Sequence, residues 1–203
     1  MSTPKNKGVR ADGRRNRARI LAAAEGVFAD NGPSASTEQI AVRAGVAIGT
    51  IFRHFPTKQA LLQAIMKDLL RQLTDQADAL AANGDPATAL FTFFTQTVEQ
   101  AVRKKSVIDL LARTGIDLQI TEAVQLLDHS VHTLLTRAQD VGAITPTTRT
   151  DEVTTLLAAM CQATTLPSWN PDLQHRTLAV IFHGLTPNPP NPPNQANDKQ
   201  AEH

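Results

Sequence analysis

From Arg14 to Leu185 the apolar residues return every third or fourth position, and no stretch sustains an apolar–polar alternation. That spacing puts one apolar stripe on each helix, whereas a half-buried strand needs a period of two. The run Ala87, Leu90, Phe91, Phe94, Val98, Ala101 and Val102 is the cleanest case. Composition agrees. Apolar residues make up 41% of the chain but aromatics only 4%, with no Tyr, which suits helix-on-helix packing better than a sheet. The expected fold is all-α, with about nine helices.

Breaker residues divide these stripes. Residues 1–13 are polar, basic and aperiodic, and read as a flexible arm. A first helix is predicted from Arg14 to Asp30, stopped by Asn31-Gly32-Pro33. Ser36, with Gln39 three residues on, has the capping-box pattern for a second helix ending at Gly45. A third covers Ala47 to Phe55, closed by Pro56, and Thr57 can cap a long fourth carrying Leu62, Ile65, Met66, Leu69, Leu73, Ala77 and Leu80. Asn83-Gly84-Asp85-Pro86 breaks that helix. Further stripes predict helices over 87–102, 107–113, 120–138, 153–164 and 178–185. Beyond Leu185 the Pro- and Asn-rich sequence lacks enough apolar surface to order itself, so 186–203 is predicted disordered. The chain divides into a small unit over 14–60 and a larger helical body over 61–185.

Several function classes have no support. One cysteine, Cys161, provides neither an intrachain disulfide nor a multi-cysteine zinc site. His129 and His132 lack a clean third ligand, so no metal is expected, and no cofactor. No nucleophile elbow, phosphate loop or zinc-protease signature occurs, which argues against an enzyme; a helix-bundle enzyme with a basic arm is the rival from another class. With no apolar run long enough to span a bilayer and no secretory core, the expected location is the cytoplasm, with no membrane partner. Charge is more informative. Residues 1–60 hold ten Lys and Arg against four acids, a surplus of six, although the whole chain is only +1. A basic front on an acidic body points to a polyanion, unless it is merely a solvated tail.

Residues Thr37 to Phe55 supply the chemistry for such a partner. Small Ala41 lets a second helix approach, Gly45 permits a sharp turn, and Ile51 locks the second helix to the core. These are the requirements of a helix-turn-helix over 36–55. The run Gly45-Val-Ala-Ile-Gly-Thr-Ile-Phe-Arg-His-Phe-Pro-Thr-Lys-Gln-Ala-Leu-Leu, within Ile20 to Met66, resembles the tetracycline-repressor (TetR) family of transcriptional regulators. The resemblance implies a three-helix DNA-binding domain over 14–60 and a ligand-binding and dimerisation domain over 61–185. It implies a homodimeric repressor on a palindromic operator in double-stranded DNA, released by a small-molecule effector. An activator, or a DNA-binding protein without a ligand, is the alternative.

The family pattern implies phosphate contacts by Thr37, Thr50, Phe52, His54 and Lys58. Thr37 and Lys58 stand at helix N-termini, which favour phosphate. Phe52 departs from the usual Tyr and can only pack against sugar or a thymine methyl. Ala47 departs from a frequent capping Ser, a loss of about 1 kcal/mol. Arg14 belongs to the basic front and joins the DNA-binding set. Base reading falls to Ala47, Ile48, Gly49 and Arg53 at the start of the third helix, where Arg53 can fork onto guanine or hold a phosphate. For the effector, a mainly apolar cavity is expected between the helices over 57–80, 87–102 and 120–138. Its expected lining is Met66, Leu69, Phe91, Phe94, Leu111 and Leu127, with Gln96 or His129 orienting an apolar or aromatic ligand. The stripes Val153, Leu156, Leu157, Met160, Cys161, Thr164 and Leu178, Ile181, Phe182, Leu185 are the expected dimer faces.

Overall fold

The computed structural model describes residues 5–107, 110 and 121–187. Among these residues there are eight α-helices and no strand: α1 (Lys5–Asn31), α2 (Thr37–Ala44), α3 (Ile48–His54), α4 (Lys58–Asn83), α5 (Ala89–Arg103), α6 (Thr121–Asp140), α7 (Thr150–Ala163) and α8 (Pro171–Leu185). A 3-10 turn, Gly32–Ser34, follows α1. The helix expected over 107–113 and the tail expected from 186 onward fall largely outside the described residues.

Two boundaries differ from expectation for local reasons. The first helix starts at Lys5, so the residues read as an arm from Lys5 to Gly13 form its opening turns. Nothing there can stop a helix: no proline intervenes, Gly8 and Gly13 each cost only about 1 kcal/mol relative to Ala, and Arg15 pairs with Asp12 one turn back. At the other break, α5 starts at Ala89 instead of Ala87. The Asp85 carboxylate accepts from the Ala87 N–H at 3.1 Å, and the Asp85 carbonyl accepts from Ala89 N–H at 2.8 Å, completing a turn before the helix.

The molecule has two apolar cores, and α4 contributes to both. The first gathers Ile20, Ala24, Val27 and Phe28 of α1, Ile40 and Ala41 of α2, Ile51 of α3 and Phe55 behind it, with Leu61, Leu62, Ala64 and Ile65 of α4. Val107 and Leu110 join this core from the body side. The second gathers Leu73 and Ala77 of α4 with Leu90, Phe93, Phe94 and Val98 of α5, Val131, Leu134 and Leu135 of α6, and Val153, Leu157 and Met160 of α7. Leu178 and Leu185 of α8 close it. Each fully buried Leu, Ile or Phe contributes about 1.5–3 kcal/mol. The expected division at 60/61 therefore cuts through the first core. With 26 residues, α4 is about 39 Å long and extends from one core into the other.

Candidate nucleic-acid interface and body cavity

Local hydrogen bonds build the helix-turn-helix. Ser36 Oγ accepts from the Gln39 N–H at 3.2 Å, and Gln39 Oε1 accepts from the Ser36 N–H at 2.9 Å, so the expected capping box forms. Gly45 ends α2 with φ +62°, a region that costs other residues about 1–2 kcal/mol. There the Val46 N–H donates to the Ala41 carbonyl at 3.1 Å, which turns the chain into α3. Arg19 of α1 donates to the Ala44 carbonyl at 2.7 Å, adding a cation to the α2 C-terminus. A Cβ on Gly45 would stand 2.8 Å from that guanidinium. Arg43 pairs with Asp30, fastening α2 to α1 a second time. The sequence shows Arg19 and Arg43 only as charges, because their partners, a backbone carbonyl and a carboxylate, lie 25 and 13 positions away.

On this frame the outer surface of α3 presents the expected readers. Ala47, Ile48, Gly49, Phe52 and Arg53 are exposed, Thr50 and His54 half-buried, and Ile51 faces inward. Ala47 is an extended N-cap without a side-chain hydrogen bond, as its lack of a hydroxyl requires. Thr37 opens α2 half-buried, and Arg14 is exposed on α1. Lys58 stands at the start of α4, behind the Thr57 cap, whose Oγ1 accepts from the Ala60 N–H at 3.0 Å. The Lys58 ammonium donates to the Ala35 carbonyl at 3.3 Å and lies 5.5 Å from the centre of the Phe28 ring. It reaches outward only by leaving these neighbours. Two residues not singled out from the sequence also belong to this surface. Val42 of α2 is 83% exposed beside Ala47 and Ile48, an isolated apolar position whose period gave no sign of use. Arg17 lies 5.3 Å above the Phe55 ring, carrying charge to the end of α3. Glu38, which shares a shallow surface groove with Val42, Ala47 and Ile48, has its carboxyl held below the usual range by its own backbone N–H and the Ser36 hydroxyl.

In the body, α4, α5, α6 and α7 line a cavity of about 440 Å³ that is partly open to the surface. Met66, Leu69, Leu70 and Leu73 line it from α4, Thr97, Gln100 and Ala101 from α5, Leu127 and Val131 from α6, and Leu157, Ala158 and Cys161 from α7. Lys104, just past α5, borders it as well. Three expected residues, Met66, Leu69 and Leu127, are among the lining. Four are placed elsewhere. Phe91 and Phe94 turn toward α8 and meet the Phe182 ring at 4.8 and 5.7 Å between centroids, so they are core. Gln96 is exposed and bonded to Gln76, and exposed His129 borders a shallow surface groove with His132 and Arg149. Leu111 lies outside the described residues. The fourth wall, α7, was missed because its stripe reads equally as a core or a dimer face. Burial in this apolar wall pushes the Cys161 thiol up to about 11.

Most of the stripe residues expected at a dimer face are also internal. Val153, Leu157, Met160, Leu178 and Leu185 are buried within the subunit, because they complete the second core. Of the expected residues Leu156 does face outward, with Ala159 beside it on α7, and the outward face of α8 carries Ala179, Val180, His183 and Gly184, with Val180 73% exposed.

Comparison with known proteins matches these units one by one. Residues 20–65 match the model of bacterial regulatory proteins of the tetR family. Residues 85–187, half of the chain, match the SbtR-like C-terminal domain of transcriptional regulators. The HTH-type transcriptional regulator UidR of Escherichia coli (strain K12) is 30% identical over 154 residues, covering 70% of this chain and 75% of that one. The HTH-type transcriptional repressor Rv3405c of Mycobacterium tuberculosis is 47% identical over 58 residues, 28% of this chain and 31% of that one. A crystal structure of a TetR transcription regulatory protein from Mycobacterium vanbaalenii superposes with a TM-score of 0.70 at 34% identity, covering 88% of this chain and 99% of the other. Among the described residues no helix is long and apolar enough to cross a membrane. The helix-turn-helix over 36–55, the helical body behind it and these likenesses together place the chain in the tetR family of bacterial regulatory proteins, as a DNA-binding transcriptional regulator.

Proposed function

We propose that this regulator is a homodimeric repressor that holds a palindromic operator and leaves it when a small, mainly apolar effector fills the body cavity. The observation that carries the proposal is the placement of α4. Its Leu61, Leu62 and Ile65 are packed into the DNA-reading unit, while Met66, Leu69 and Leu73 line the cavity a turn or two further along. A helix that shifts to accommodate a ligand carries α3 with it, since only Phe55, Pro56 and Thr57 separate α3 from α4. The same segment is the physical link that effector coupling requires.

In this reading Ile48, Gly49 and Ala47 approach the base edges, and Arg53 reads guanine or holds a phosphate. Thr37, Thr50, His54, Lys58 and Arg14 meet the backbone, and Phe52 packs against sugar or a thymine methyl. One α3 covers too few base pairs for useful specificity, so two copies about 34–36 Å apart are required. The outward small and apolar residues of α7 and α8 suit a four-helix contact about a two-fold axis. The name of Rv3405c as a repressor supports repression over activation.

The test is reciprocity. A ligand that favours the released state by about 1–3 kcal/mol weakens operator binding roughly five- to 150-fold, and the operator must weaken the ligand by the same factor. Screening metabolites against the protein–operator complex, then titrating each hit with and without operator, measures both factors. Equal ligand affinities in the two titrations would show that cavity and DNA surface are uncoupled.

A further inference from the structure

We propose that the cavity takes an amphipathic organic acid, a hydrocarbon chain or ring bearing one carboxylate, and that Lys104 receives the acid by exchanging its partner Glu25. This deepens the proposed effector site and rests on that reading. Two observations carry it. The cavity wall is almost wholly hydrocarbon, with Met66, Leu69, Leu73, Leu127 and Val131 prominent, which selects an apolar body. Among the described residues the cation on that wall is Lys104, whose ammonium lies 2.9 Å from the Glu25 carboxylate, with both side chains only 22% exposed.

The pair joins two functional regions. Glu25 belongs to α1 of the DNA-reading unit, while Lys104 lies just past α5 of the body, on the lining of the cavity. A charge that is mostly out of water needs a counter-charge. Lys104 keeps one if a bound carboxylate takes the place of Glu25, whereas a neutral ligand of the same shape offers nothing to exchange. The C-terminal end of α5 also favours a cation there. Gln100, the polar neighbour one turn earlier, is already held by Gln76 at 2.8 Å. Asp128 is the acid on the wall, but it is exposed and shared with the outer groove of His132 and Arg149, so it stands at the mouth. Binding of an acid thus removes a tie between α1 and α5 that a neutral ligand leaves intact.

Decanoate and decan-1-ol, equal in chain length and different in charge, test this by calorimetry on the full chain near neutral pH. Variants are Lys104→Met, Glu25→Gln and the double variant, each checked for helicity and melting. The double variant removes both charges together, so it serves if Lys104→Met alone does not fold. Decanoate should bind the natural protein at least about tenfold more tightly than decan-1-ol, as a charge-assisted contact in a dry site does. That preference should vanish in Lys104→Met and in the double variant. Glu25→Gln should tighten decanoate several-fold and leave decan-1-ol unchanged. Equal binding of the two probes, binding of neither, or a preference that survives in the double variant would overturn the proposal. Operator binding by the same preparations reports separately on the DNA-regulator reading.

Discussion

Gly45 shows how much a single position does in this fold. Its positive φ ends α2, and the space a side chain would need is occupied by the Arg19 guanidinium. Gly45→Ala should therefore destabilise the protein by about 1–2 kcal/mol from backbone strain alone, more if Arg19 is displaced, and thermal unfolding reads the loss directly. Arg53→Ala should cost about 1–3 kcal/mol and relax preference at one base position if it reads guanine, whereas Lys58→Ala should weaken every sequence alike and flatten the salt slope by about one unit. Binding titrations over several salt concentrations separate these outcomes. Cys161 gives a pH prediction. Its thiol is raised to about 11, so the neutral form dominates at neutral pH and the reactive thiolate is scarce. Alkylation by a neutral maleimide should be slow and accelerate about tenfold per pH unit between roughly 7 and 10. The same sign holds for stability, since the raised pKa contributes only below the unfolded value near 8.5 and is lost as pH rises toward 11. The glycine turn and the capping box were legible because each is a local pattern of a few residues. The contacts of Arg19 were not, because a long basic side chain offers no spacing signal for a partner 25 residues away.

The apolar period located the helices well, but a stripe shows that a face is buried without showing by what. Phe91 and Phe94 illustrate this limit. They were expected around a ligand and instead pack on Phe182 of α8, while α7, expected at a dimer face, supplies Leu157 and Cys161 to the cavity. For the dimer the useful residues are the outward ones, of which only Leu156 belongs to the expected stripes. Val180→Asp places a charge on the outward face of α8, where it touches little of its own subunit, and should leave the fold intact while halving the mass seen by light scattering. A mass that stays at the dimer value would move the interface away from α8. Leu157→Asp is the contrasting case: a charge buried in the second core should unfold the body, giving loss of helicity instead of a clean monomer.

At the scale of the molecule, α4 ties a DNA-reading surface to a cavity, and the charge distribution matches that division of labour. Residues 1–60, which hold the DNA-reading unit, carry a surplus of six positive charges, and residues 61–203 carry the compensating negative charge. That division of labour depends on sequence-specific binding by a symmetric pair of α3 helices. It is tested most directly by selecting bound duplexes from a random pool and measuring the affinity of the winner against random DNA by fluorescence anisotropy. The selected duplex should be an inverted repeat with half-site centres one helical turn apart, about 34–36 Å, or a small multiple of that, bound at least about a thousandfold more tightly than random duplex. Recovery of no common sequence, or a winner bound no more tightly than random DNA at low salt, would contradict it.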